Sequence, residues 1–209
     1  ITSTKATLNY QGQASRVWGS DGIFTLERIN NLQARGFVEF DLSAIPSGAT
    51  ISSASLRLVH SNSNSCDGFG GGGGSFTTNV QRVTRAWVEG TVCNTNQTGS
   101  LSWTSAGPTN WTTAGGDFAG SYGSFTGGHG DADGTVYTID VTTLVNEWYN
   151  GTTPNFGFGL VPQGTDPDDY YNIYSDDASN SNNRPQLIVT YTCSPTLGGA
   201  TSVDVGSTA

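Results

Sequence analysis

The sequence predicts an all-β fold: a jelly-roll-like antiparallel β-sandwich with one short helix and long Gly/Ser/Thr/Asn-rich loops. Apolar residues recur at every second position in several short stretches, the period of a half-buried strand. Turn chemistry such as "IPSGAT", "NGTTPN" and "SNSNNRP" separates those stretches. The 209 residues include 29 glycines and only 12% charged residues, the texture of short strands joined by polar turns.

The elements follow in chain order. "ATLNY" offers Ala6, Leu8 and Tyr10 as an opening strand. In "RGFVEFDL", Val38, Phe40 and Leu42 share one face, while Phe37, Glu39 and Asp41 share the other. "ASLRLVH" places Ala54, Leu56 and Leu58 inward and Arg57 outward. The same alternation gives Tyr137, Ile139 and Val141, then Phe156, Phe158 and Leu160, and finally Leu187, Val189 and Tyr191. One helix interrupts the series: "DVTTLVNEWYNG" sets Leu144, Val145 and Trp148 on one side behind Asp and Thr caps and stops at Asn150-Gly151. A second short turn is expected at "TRAWVEG", and 61–79 and 94–134 read as long polar loops, where a binding surface would be sought.

Charge and cysteine narrow the function. A net charge of -9, with Lys5 and seven scattered arginines, excludes nucleic acid and anionic membrane surfaces as natural partners. No apolar run approaches the ~20 residues of a membrane helix, so membrane insertion is not expected. The opening "ITSTKATLNY" has no signal-peptide pattern, so any leader has been removed. Cys66 and Cys93 are candidates for a disulfide closing "CDGFGGGGGS" against the segment after "RAWVEG", which would contribute roughly 3 kcal/mol. The alternative is a pair of reduced, buried thiols. A disulfide places the chain in an oxidising, secreted or extracellular setting. Cys193 is left over, either free or paired with another chain.

The segments "ARGFVEFDLSAIPSGATISSASLRLV", "VQRVTRAWVEGT", "LSWTSAGPTNWTTAGGDF", "YTIDVTTLVNEWYNG", "FGFGLVPQGT" and "NIYSDDASNSNNRPQLIVTY" together resemble the DNRLRE domain family, which is related to the disaggregatase-type repeats. The resemblance covers about residues 5 to 192. It implies a jelly-roll-like β-sandwich from secreted, often multidomain microbial surface proteins, some of whose relatives are carbohydrate-binding modules, including alginate binders. The acidic composition and single lysine argue against an alginate-like polyanion here. The glycine run at 68–74 and everything after Tyr191 fall outside the pattern, giving a sandwich over 1–192 and a C-terminal tail over 193–209.

Catalysis finds no support. There is no Gly-x-Ser-x-Gly elbow, the imidazoles are His60 and His129, and Glu27, Glu39, Glu89 and Glu147 form no informative acid pair. Spaced His/Cys ligands for zinc are lacking. Asp131 and Asp133 in "HGDADG", with Asp166 and Asp168 in "TDPDD", resemble oxygen-rich calcium loops, so a structural Ca2+ is a candidate cofactor; solvated Asp turns are the plainer reading. Trp87, Trp103 and Trp148 are expected in the core. Trp111, Tyr122, Phe125, Tyr170 and Tyr171 lie in or beside polar loops and are the candidates to stack on a sugar. At most one of the adjacent pair Tyr170 and Tyr171 can be exposed if that stretch is a strand.

The tail "SPTLGGATSVDVGSTA" alternates once more: Leu197, Gly199, Thr201, Val203 and Val205 share a face opposite Gly198, Ala200, Ser202, Asp204 and Gly206. Two functions follow. The chain is a non-catalytic, secreted carbohydrate-binding or adhesive module whose partner is a polysaccharide. Alternatively, it is a subunit of an extracellular filament, with residues 197–206 adding as a strand to a neighbouring copy and Leu197, Thr201, Val203 and Val205 filling its pockets.

Overall fold

A computed structural model of the chain describes residues 1–66, 74–164 and 169–193. It is all-β and antiparallel throughout. The strands are β1 (Lys5–Tyr10), β2 (Arg16–Trp18), β3 (Ile23–Ile29), β4 (Leu32–Glu39), β5 (Ala49–Ser61) and β6 (Ser75–Val83), then β7 (Cys93–Asn96), β8 (Phe118–Gly128) and β9 (Val136–Asp140). Helix α1 (Thr142–Tyr149) precedes β10 (Phe158–Pro162), β11 (Asp169–Tyr174) and β12 (Gln186–Cys193). One nearly closed sheet runs in the order β12-β5-β11-β3-β4-β10-β6-β8, with β1 added to β4 and β9 to β5. Long β5 joins the parts: its Ala49–Arg57 stretch pairs with β12, Ser55–Val59 with β9, and His60–Ser61 with β11.

The inward faces are those the alternation selects. Leu8, Val38, Leu56, Leu58, Ile139, Phe158, Leu160 and Leu187 meet in one core that α1 closes with Leu144, Val145 and Trp148. The helix stops where expected: Gly151 takes φ +70 and donates its amide to the Trp148 carbonyl. At its start, the Asp140 carboxylate accepts from the Thr142 amide at 2.9 Å.

Four expectations are corrected. The segments 61–79 and 94–134 are not loops throughout, because they contain β6, β7 and β8. Phe76, Thr78 and Val80 of β6 alternate inward, whereas the Gly/Ser/Thr composition of β8 hides its strand. Phe37 does not share a solvent face with Glu39 and Asp41; it is 0% exposed. The stretch over 84–117 lies across that side of β4 and builds a second core from Phe37, Val83, Trp87, Leu101, Ala106 and Trp111. "TRAWVEG" adopts no helical turn but extends along this layer. Tyr191 is 38% exposed although its register partner Ile51 is buried, the shift between Thr190 and Tyr191 passing over Ser52 of β5.

Candidate functional site

The second core creates the site. Asn9 is buried in β1 and donates through Nδ2 to the carbonyls of Ser102 and Gly115, both at 3.3 Å, which pins the crossing segment to the sheet. Trp87 donates its indole N–H to the Phe156 carbonyl at 2.9 Å and carries Lys5 Nζ 4.8 Å from its ring centroid. At the end of the segment, the Asp117 carboxylate accepts from the amides of Thr112 and Thr113 and from Arg85 Nε at 2.8 Å. Burial pushes the Asp117 carboxyl up, but these donors outweigh it and hold the group below its ordinary range. Arg85 also reaches the hydroxyls of Thr109 and Thr112, so its donors are spent on fixing the loop.

Arg35 differs. It sits on the same side of β4 as Phe37, between the Trp103 ring at 4.7 Å and the Phe118 ring at 5.8 Å. Its Nε donates to Gln33 Oε1 at 3.0 Å, and no carboxylate among the described residues lies within ion-pair distance. Burial, followed by the nearby Arg28 charge, lowers its pKa to about 10. Gly115, at φ +93, passes so close that a Cβ there would lie 2.6 Å from Arg35 Nη1 and 2.7 Å from Trp103. The guanidinium lines a cleft of about 550 Å3 with Thr84, Arg85, Thr112, Thr113, Gly116, Asp117 and Phe118. Sequence reasoning missed this site. The available signal was Phe37, an apolar residue on a face otherwise read as polar, which announces that something covers Arg35 as well.

The sequence-selected aromatics scatter. Trp111 is buried, stacks on Phe37 at 5.6 Å and donates its N–H to the Ser102 carbonyl at 3.0 Å. Phe125 is buried against Tyr137, with ring centroids 5.0 Å apart. Tyr171 is 0% exposed, and its hydroxyl meets Thr78 Oγ1 at 2.6 Å. These three are buried, because strand alternation and the second core enclose them. Tyr122 is half-buried and donates to Glu147 at 2.9 Å; burial and then that carboxylate raise its pKa. Tyr170 is half-buried against the His129 ring at 4.7 Å. Trp87, Trp103 and Trp148 are buried as expected.

The aspartates of "HGDADG" brace the fold. Asp131 accepts from the Tyr137 hydroxyl at 2.5 Å and from the Gly128 amide, while Asp133 accepts from the Asn62 amide and the Tyr174 hydroxyl, both at 3.1 Å. Asp166 and Asp168 lie outside the described residues, as do Leu197, Thr201, Val203 and Val205. Among the described residues, one His/Cys/Asp/Glu trio brings its ligand atoms together, namely Asp21 with Cys66 and Cys93. Both sulfurs of that trio are in a disulfide, with Cα atoms 6.4 Å apart. Asp21 instead accepts from the Cys66 amide at 2.7 Å and the Ser65 hydroxyl at 2.8 Å. Cys193 is exposed and unpaired within the chain. No helix among the described residues is long and apolar enough to cross a membrane.

A comparison with curated proteins finds no match. The family model of the disaggregatase related repeat domain matches residues 13–189, from just after β1 to the middle of β12. It carries the disaggregatase side of the expected resemblance and not the DNRLRE name. With nearly the whole described sheet inside the match, the chain belongs to the disaggregatase related repeat domain family.

Proposed function

We propose that this repeat module is secreted and non-catalytic, and that it holds carbohydrate in the cleft at Arg35. The observation that carries the reading is a half-buried guanidinium between Trp103 and Phe118 that opens to a cleft and has no carboxylate among the described residues within ion-pair distance. A cation kept out of bulk water and left uncompensated is a binding element for an anion. The adjoining Phe118 ring is partly exposed and offers an apolar face to a sugar, while the hydroxyls of Thr84, Thr112 and Thr113 offer polar contacts. The chemistry suits a sugar acid, with its carboxylate on Arg35. The net charge of -9 disfavours a long polyanion on the surface at large but not one acidic residue at this cleft.

Titration with uronate-containing and neutral oligosaccharides, followed by calorimetry, tests the reading. Binding of the acidic sugar, weakened at least tenfold in Arg35→Gln and by added salt, is expected. Arg35→Gln gives up the contacts with Trp103 and Phe118, so a small fall in melting temperature is expected, and binding is compared at a temperature where both proteins are folded. Absence of binding to either class, or equal binding by wild type and Arg35→Gln, overturns it.

A further inference from the structure

A second cleft, of about 410 Å3, lies between the turn after β7 and the loop over 102–110 of the crossing segment. Its lining differs in kind from that of the Arg35 cleft. Every residue on it is Ser, Thr, Asn, Gln, Gly or Pro, so no ionisable group and no large apolar side chain lines it. The walls are held before any ligand arrives. On one side, the Ser102 amide donates to the Ser105 carbonyl at 2.8 Å, and Ser105 Oγ donates to the Gly107 carbonyl at 2.8 Å. On the other, Gln97 accepts from the Thr91 amide at 2.8 Å and donates to the Thr91 hydroxyl at 3.0 Å, while Ser15 donates to Asn96 at 3.2 Å. The Ser102 carbonyl, which accepts from Asn9 and from the Trp111 indole, anchors this cleft to the second core.

Three polar side chains of the lining are left over. Thr98, Ser100 and Asn110 make no side-chain hydrogen bond to any described residue. Thr98 and Asn110 are exposed at the rim, whereas Ser100 is 5% exposed, so its hydroxyl is satisfied from the cleft. Hydroxyls and a carboxamide both donate and accept, as the hydroxyls of a sugar do. An anion would find no cation here, a metal ion no carboxylate, and an extended peptide no apolar pocket for its side chains. We propose that this cleft is a subsite for a neutral sugar residue, held by Thr98, Ser100 and Asn110. Pro108 supplies the one apolar ring and no aromatic side chain lines the cleft, so the grip is hydrogen bonding and the affinity millimolar. Asn110 and Thr112 stand exposed on either side of buried Trp111, so the linings of the two clefts come within ~7 Å along the chain. A glycan carrying both acidic and neutral sugars could lie across them; that extension rests on the Arg35 reading, whereas the neutral subsite does not.

Amide NMR spectra of the isotope-labelled full chain, titrated with neutral tetrasaccharides of glucose, mannose, galactose and N-acetylglucosamine, test the proposal. At least one of these should shift the Gly99, Ser100 and Gly107 amides at millimolar concentration, without dependence on salt, since no charge is involved. Thr98→Ala combined with Asn110→Ala should weaken that binding about tenfold, because two hydrogen-bonding groups are lost. Ser100→Ala should weaken it as well, and Arg35→Gln should not. These cleft variants remove side-chain groups with no partner among the described residues, so their melting temperatures should stay near that of wild type. The proposal is overturned if none of the four sugars shifts these amides, if the shifts fall instead on Thr112, Thr113 and Gly116 at the Arg35 cleft, or if the folded cleft variants bind as wild type does. Each of those results leaves the acidic-sugar reading to its own uronate titration.

Discussion

Glu89 shows how one buried acid shapes the response of the fold to pH. Its Oε1 accepts from the Ala6 amide at 2.8 Å, which ties the crossing segment to β1. Burial, then the charge of Asp176, pushes its carboxyl up to about 8, against the pull of the Ala6 amide and Lys5; Asp177 adds to the rise. Asp176 is pushed up to about 6 by burial and then by Asp177, with Arg184 acting in the opposite direction. Both acids hold their protons more tightly in the folded chain than in the unfolded one. Their contribution is therefore fully present below the ordinary carboxylate range and is lost as pH rises, first through about 6 and then through about 8. Melting temperatures measured across pH 5 to 9 should fall over this window, and Glu89→Gln should flatten the upper part of the decline. A profile identical to wild type in that variant would remove Glu89 from the explanation.

At the scale of elements, β4 is the informative strand. Its inward face was legible from the period of Val38 and Phe40, as were the inward faces of β5, β9 and β10, because side chains pointing into one core must alternate. Helix α1 was legible down to its Gly151 stop. The outer face of β4 was not, because the sequence places Phe37 beside Arg35, Glu39 and Asp41, and only the crossing of 84–117 reveals that Phe37 and Arg35 are covered while Glu39 reaches Lys5 at 2.8 Å. The candidate site fared worse than the fold for the same reason. Trp111 sits in a polar loop by sequence, yet tertiary packing buries it on Phe37. Strand β8 escaped notice because glycine, serine and threonine take the place of alternating apolar residues. Removing the Trp111 side chain should empty the second core: Trp111→Ala is expected to cost ~3–5 kcal/mol in denaturant unfolding. Because Trp111 packs beneath the loop that carries Thr112, Thr113 and Asp117, the variant also tests whether the cleft depends on that core.

Across the whole molecule, long-range connections dominate. The Cys66–Cys93 disulfide spans 27 residues and ties the end of the β5 strand region to the small β2–β7 ribbon, where Cys93 opposes Trp18. Replacing both cysteines by serine should destabilise by roughly 3 kcal/mol, with wild type brought to the same midpoint by reductant. A smaller loss would mean that the Asp21 hydrogen bonds to Ser65 and Cys66 hold the loop without the bond. At the opposite extreme of sequence separation, Ile1 lies against Leu187 and Thr2 against Gln186 in antiparallel register. Antiparallel pairing puts Ile1, rather than Thr2, on the side of the bridge toward the Cys193 end of β12. Tension applied across the module at those two points would therefore open the bridge like a zipper, one hydrogen-bonded pair after another, instead of shearing all the pairs at once. Such a pull is expected to peel Ile1 and Thr2 from β12 first, while the disulfide-tied core stays folded.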